Sequence, residues 1–259
     1  MMSEWTSSPP NEQKLEAVPM FGFYGMGLYG WDISTHFHGG NGWFGGGWPS
    51  WGIWEGHTPQ HLGQFLAISR AVHEGHLQEG EPSAALHFTA DDVFSGTDSR
   101  PEVDPWLAAV GPQTVSFEDG TSNIVDIEEY RDGDFINSQT EELSWNTDGY
   151  FLVSTDRTQG VVGRAGGLTH ALPDVTVELE TDFVSLLFTS LDGEKLSESA
   201  SILITAIAKD KQTGALYSDD GSELLALGGP PLLLEPVQAV LTFGGADITD
   251  VRTLNEFGV

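Results

Sequence analysis

The sequence predicts a mainly β protein, an antiparallel β-sandwich preceded by a shorter α/β segment. Three observations carry this. From Glu81 onward apolar residues recur with period two, as in half-buried strands. Turn-forming pairs such as Asp192-Gly193 and Asp220-Gly221 break that region roughly every ten residues. Before Glu81 the spacing is helical, in two stretches separated by a short apolar run and a long Gly- and Trp-rich loop.

The elements follow in order. Ser3-Glu4-Trp5 leads into a loop broken by Pro9-Pro10. A helix is expected from Pro19 to Tyr29, with Met20, Phe23, Tyr24, Gly27 and Leu28 on one face and Pro19 in its first turn. Gly22, Gly25 and Gly27 cost helix propensity, about 1 kcal/mol each relative to Ala, so this helix should lie against a close neighbour. Gly30 to Ser34 reads as one buried strand, and Thr35 to Thr58 as a loop. The second helix runs from Pro59 to about His73, capped by Thr58 and ended by Gly75, with Leu62, Phe65, Leu66, Ser69, Val72 and His73 on its apolar face. Strands are expected around Phe151 to Thr155, Val175 to Leu179, Val184 to Phe188, Ile202 to Ala206 and Val237 to Leu241. Ala90 to Asn137 is polar and weakly periodic, with Val115 and Phe117 marking one strand; it reads as a layer over the sandwich.

Composition limits the function. The chain has 259 residues, enough for one large or two ordinary domains, and 39% hydrophobic content, enough for a core. The formal charge of −29 repels phosphate backbones and argues against nucleic acid as a partner. Two basic and seven acidic residues fall in the first 80 positions, and eight basic and 32 acidic in the rest. The acidity is therefore concentrated in the β-rich region, over turns and strand ends, as on a surface solvated in salty surroundings. No D-x-[DN]-x-[DN]-G calcium loop is present. The absence of cysteine excludes disulfides and thiolate chemistry. Met1 to Pro10 lacks the basic start and apolar run of a signal peptide, and no stretch has transmembrane length, so no membrane partner is expected. The compartment is left open, a secreted or periplasmic full-length parent being compatible with these features.

The chemistry-bearing residues gather early. Six of the eight tryptophans, Trp5, Trp31, Trp43, Trp48, Trp51 and Trp54, lie in the first 60 positions, with His36, His38, His57 and Glu4, and His61 follows. Sugars have apolar faces and polar edges, and their sites combine flat rings with carboxylates and hydrogen-bonding side chains. A Gly-rich loop offers its tryptophans few packing partners, which favours exposed platforms over core positions. His36-x-His38 places two imidazoles on one strand face, a metal-ligand spacing, but without a matched third ligand; hydrogen bonding to substrate is the preferred reading, and neither metal nor cofactor is expected. Neither a G-x-S-x-G elbow nor a complete dinucleotide fingerprint is present.

Ser3-Glu4-Trp5, the Pro/Asn loop, a helix, then Leu28-Tyr29-Gly30-Trp31-Asp32-Ile33 and Phe37 together resemble the last strand–helix–strand of clan A glycoside hydrolases, with Leu28-Tyr29 where Leu-Gln is more usual. Leu143-Ser144-Trp145, Phe151 to Gly163, Leu191 to Leu196 and Pro230 to Val237 resemble the β-domain appended to such enzymes, of the family 42-like galactosidase or agarase-like kind. The resemblance implies a (β/α)8 barrel whose final two units are residues 1–80, a connecting β/loop layer at 81–137 and a β-sandwich at 138–259. It implies Glu4 as nucleophile and Trp31 as floor of a sugar subsite, with Trp5, His36, His38, Trp43, Trp48, Trp51 and Trp54 around the substrate. The mechanism it implies is retaining, with two carboxyl groups about 5–5.5 Å apart.

A full barrel takes about 250 residues, so the α/β segment is a truncated piece from its end. The general acid of the clan, on an Asn-Glu pair, has no counterpart: Asn11-Glu12 and Asn255-Glu256 stand in the wrong places. The expectation is a C-terminal portion of a hydrolase of β-linked carbohydrate, inactive alone, with carbohydrate and the missing N-terminal barrel portion as partners. The alternative is a non-catalytic module that binds carbohydrate or supports the barrel.

Overall fold

Apolar residues on both sides of a strand require cover on both faces, and residues Phe183–Ser190, all eight buried, have it. The computed structural model describes residues 1–5, 13–36, 59–95, 101–118, 120–219, 223–226, 228–245 and 248–254. It is mainly β, with several antiparallel sheets. The expected turn at Asp220-Gly221 and the Thr58 cap lie outside the described residues.

In chain order, β1 (Met2–Trp5) is followed by α1 (Gln13–Pro19), a π-helical segment (Met20–Leu28), β2 (Ser34–His36) and α2 (Pro59–His73). Then come β3 (Ala84–His87), α3 (Ala90–Phe94), α4 (Leu107–Val110), β4 (Gln113–Ser116) and β5 (Asn123–Ile124). Next are β6 (Arg131–Asp132), β7 (Phe135–Asn137), β8 (Leu143–Asn146), β9 (Tyr150–Ser154) and β10 (Thr158–Arg164). They lead to β11 (Leu168–Ala171), β12 (Val175–Leu179), β13 (Phe183–Ser190) and β14 (Ile202–Ile207). The last are β15 (Asp210–Thr213), β16 (Leu216–Tyr217), β17 (Leu224–Ala226), β18 (Gly229–Leu234) and β19 (Ala239–Phe243).

The central sheet has seven strands in the order β14-β13-β10-β9-β8-β7-β6, every pair antiparallel. One face packs on the three-stranded sheet β11-β12-β19 through Val161, Val184, Leu186 and Phe188 against Val175, Val177 and Leu179. The other face presents Phe151, Val153, Val162 and Leu187 to Phe23, Tyr24, Leu28, Ala67, Ile68 and Ala71 of the helices. The chain is thus a three-layer stack. The central sheet begins at Arg131, ahead of the residue 138 boundary read from the sequence. The 81–137 stretch contributes a sheet β4-β3-β5 in which β3 pairs in parallel with β4 and antiparallel with β5.

Three local expectations are corrected. The first helix starts at Gln13, not at Pro19, which instead ends α1. Proline has no N–H to continue the α ladder, and beyond it the backbone widens to π geometry, with the Tyr29 amide donating to the Tyr24 carbonyl at 2.8 Å. The short strand is Ser34–His36, not Gly30–Ser34. The second helix spans the expected residues but buries the opposite stripe: Gln60, His61, Gln64, Ala67, Ile68 and Ala71 face inward, while Leu62, Phe65 and Leu66 are 58%, 64% and 59% exposed. Both stripes have helical spacing. On the inward stripe Ala67, Ile68 and Ala71 pack into the core against the sheet, while Gln64 is accommodated by donating to the Leu15 carbonyl of α1.

Gly22 and Gly25 are where the helix needs a bare backbone. A Cβ on Gly22 would collide with Ile68 of α2, and one on Gly25 with the Trp31 ring. Gly25→Ala should therefore destabilise the fold by about 1–3 kcal/mol through overpacking, read by chemical denaturation.

The β13–β14 connection is organised by Asp192, whose carboxylate accepts from Ser199 Oγ (2.8 Å), Ser190 Oγ (2.9 Å) and the amides of Ala200 (2.7 Å) and Glu194 (3.3 Å). The Ser199 hydroxyl, then that of Ser190, holds this exposed carboxyl well below the usual carboxylate range. A depressed folded pKa gives stability that is complete above the unfolded value and is lost as pH falls through the folded one. Asp192→Asn should lower Tm at neutral pH, and the gap to the unaltered chain should narrow only below about pH 4. Thermal scans across acidic pH check both.

Candidate functional site

β1 and β2 run in parallel, joined by α1 and the π segment, a right-sized β–helix–β unit for bringing two strand ends to one edge. Met2 pairs with Ser34 and Trp5 with His36, so β1 carries one residue more than β2 between those pairs. This bulge puts both Ser3 and Glu4 on the exposed side, with Thr35 of β2 also exposed. Bulges re-aim side chains and recur beside active sites. Glu4 therefore stands at the C-terminal end of its strand, accessible to solvent.

Trp5 is half-buried on the helix side. Its ring stacks on Phe21 of the π segment at 4.7 Å and meets His36 edge-on at 4.7 Å, and its indole N–H donates to Ser34 Oγ at 3.0 Å. His36 touches His61, in the first turn of α2, with ring centroids 4.9 Å apart; Trp5 and His61 are 6.2 Å apart. Trp31 continues the aromatic row, 6.0 Å from Phe21 and 5.8 Å from Tyr29, with its ring over Gly25. The structure thus gathers Trp5, Trp31 and His36 into one row on the helix side, Trp5 and His36 at the C-terminal strand ends and Trp31 ahead of β2 rather than at the end of a strand as the resemblance implied, while Glu4 projects on the bulge. His38, Trp43, Trp48, Trp51 and Trp54, and the Phe37 of the resemblance, lie outside the described residues.

Phe21 and His61 belong to this row and were not among the sequence-derived site residues. Phe21 falls off the apolar face read for its helix, and only tertiary packing sets it between two tryptophans. His61 is signalled by its place one turn after the Trp-rich loop. Tyr29 closes the far end. Its hydroxyl donates to the Ala108 carbonyl, and burial pushes its pKa up to about 12. It keeps its proton at physiological pH and is a tether, not an acid–base group. Among the described residues no group of three His, Asp or Glu is placed to hold a metal ion, and no helix is long and apolar enough to cross a membrane.

Chemically, the arrangement offers an exposed carboxylate, Glu4, on one face of the β1–β2 pair and a row of aromatic rings on the opposite, helix-covered face. That suits attack on an electrophilic carbon by a carboxylate oxygen, or binding of a ligand with polar edges. Comparison with protein-family models, curated proteins and solved structures gave no match.

The two neighbours on β1 should respond in opposite ways. Glu4→Gln should leave stability within about 0.5 kcal/mol of the unaltered chain, as exposed positions do. Trp5→Ala should cost about 1–3 kcal/mol, because it removes a packed ring and a hydrogen bond. Urea unfolding followed by tryptophan fluorescence and by circular dichroism separates them.

Proposed function

We propose that the chain is the C-terminal portion of a retaining glycoside hydrolase acting on a β-linked poly- or oligosaccharide, with Glu4 as the nucleophile. The observation that carries this reading is the position of Glu4, on a bulge at the C-terminal end of a parallel strand, on the side its helices leave open. In a barrel that side is the interior and that end is the active-site end. The clan A resemblance of the Ser3-Glu4-Trp5 to Ile33 run points to the same residue.

The chemistry divides into two steps. A carboxylic acid protonates the leaving glycosidic oxygen while a Glu4 oxygen bonds to the anomeric carbon and the bond from that carbon to the glycosidic oxygen breaks, giving a glycosyl ester on Glu4 and the free leaving-group alcohol. Water, deprotonated by the first carboxylate, then displaces Glu4 and restores both groups. The acid and six barrel strands are supplied by the remaining N-terminal barrel portion. Three features support an incomplete α/β layer. A two-stranded parallel sheet is too small to stand alone. α2 turns Leu62, Phe65 and Leu66 outward. Its fifteen residues contain no carboxylate, in a chain with 39.

The complete three-layer core favours a second reading, a module that binds carbohydrate or supports the barrel without catalysis. The isolated chain should not turn over polymeric or aryl β-glycosides. When it is joined to the barrel-bearing polypeptide, activity should appear and Glu4→Gln should reduce it by at least about 10³-fold, given the rate that nucleophilic catalysis supplies. Glu4-dependent turnover by the chain alone would sink the incomplete-barrel reading. Glycan binding with activity indifferent to Glu4→Gln would leave the module reading standing.

A further inference from the structure

The seam between the helical layer and the central sheet ends in a compact polar cluster around His76. This residue follows α2, and its side chain is fully buried. Its Nδ1 lies 2.8 Å from the Thr158 hydroxyl of β10, which is itself 3.4 Å from Thr189 Oγ1 of β13. Its Nε2 lies 3.4 Å from Glu74. Arg157, in the turn before β10, donates to the carbonyls of Glu74 and Gly75, both at 2.9 Å. Arg70 of α2 donates to the carbonyls of Ser190 (2.9 Å) and Leu191 (2.7 Å) at the end of β13, and pairs with Glu74 at 3.1 Å. Every one of these bonds except the Arg70–Glu74 and His76–Glu74 pairs crosses between elements or closes the end of α2 on the sheet.

The charges facing the imidazole are two guanidiniums and one carboxylate. Asp156, next to Arg157, has its carboxylate engaged by Lys195 at 2.9 Å. Glu142, beyond the cluster, is bonded to the amide of Gln78 at 2.8 Å. A proton on His76 would place a third cation where one carboxylate already answers two. Neutral imidazole is the form that fits.

We propose that His76 is an acid-released latch holding α2, and with it the β1–β2 unit, on the central sheet. Burial, then the Arg157 charge, holds its pKa below the ordinary imidazole value, against the opposing pull of Glu74. With the seam closed His76 stays neutral; with the seam open it titrates normally. Below the ordinary imidazole range the open form takes up a proton that the closed form refuses. Opening then becomes more favourable by up to about tenfold per pH unit, until the closed form also protonates.

The test is amide hydrogen exchange on the whole chain at about pH 7.5 and about pH 5.5, spanning the ordinary imidazole value, with protection expressed relative to the intrinsic rate at each pH. Protection over Pro59 to His76 should drop by up to about tenfold per pH unit, while β11, β12 and β19 hold theirs. In His76→Gln, where the side chain no longer titrates, the α2 protection should be flat. Equal α2 protection at both pH values overturns the proposal, as does the same drop in His76→Gln. So does a drop abolished by Glu74→Gln but kept by His76→Gln, which would make the carboxylate the sensor. Should His76→Gln fail to fold, NMR titration of the imidazole in the unaltered chain decides. A midpoint below the ordinary value of about 6.5 supports the latch, and one at or above it overturns it.

Discussion

The central sheet is buried on both faces, and the rest of the molecule is arranged around that constraint. In β13 all eight residues are buried, and in β10 six of seven. Strand alternation here does not separate core from solvent. It assigns each side chain to one of two cores, Leu187 and Val162 to the helices, Leu186, Phe188 and Val161 to the small sheet. The polar residues caught inside must then find partners. The Thr155 hydroxyl donates to the Thr158 carbonyl and accepts from the Thr158 amide, and Gln159 exchanges two hydrogen bonds with Asp174.

Covering the upper face fixes the helical layer. Ala67, Ala71 and Ile68 bring α2 onto the sheet, Gly22 lets the π segment close on Ile68, and Tyr24 packs against the stacked rings of Trp145 and Phe151. The β1–β2 pair is the outer end of this layer. Its exposed Glu4 and half-buried Trp5 follow from where the helices lie, since Phe21 and His61 hold Trp5 and His36 to their side. The candidate site is thus a consequence of the same packing that covers the sheet.

In a chain with ten basic residues against 39 acidic ones, four of the cations stand at joints. Arg70 and Arg157 bond carbonyls across the helix–sheet seam. Arg164 and Lys209 approach Asp182 from two sides, both over the Phe183 ring, where the β15–β18 arm leaves the sheet. Exposed ion pairs of that kind contribute little each, roughly 0–1 kcal/mol. The guanidinium–carbonyl bonds tie together segments far apart in the chain, the end of β13 to α2 and the turn before β10 to the residues just after α2.

Residue spacing alone determined the β-rich class, five of the later strands and the extent of α2, because period and turn chemistry are local properties; β10, buried on both faces, was not among those strands. It also signalled close neighbours for the glycines of the first helix. It did not determine which stripe of α2 is buried. Two stripes satisfy the helical period, and the choice depends on the depth at which a neighbouring sheet lies. Nor could spacing reveal that Pro19 marks a change to π geometry, or that Phe21 and His61 join Trp5, because those contacts form between segments far apart in the chain. Glu4 was legible only through a resemblance of motif order. Its exposure on a bulge was decided by the pairing of β1 with β2, a long-range register that no local pattern encodes.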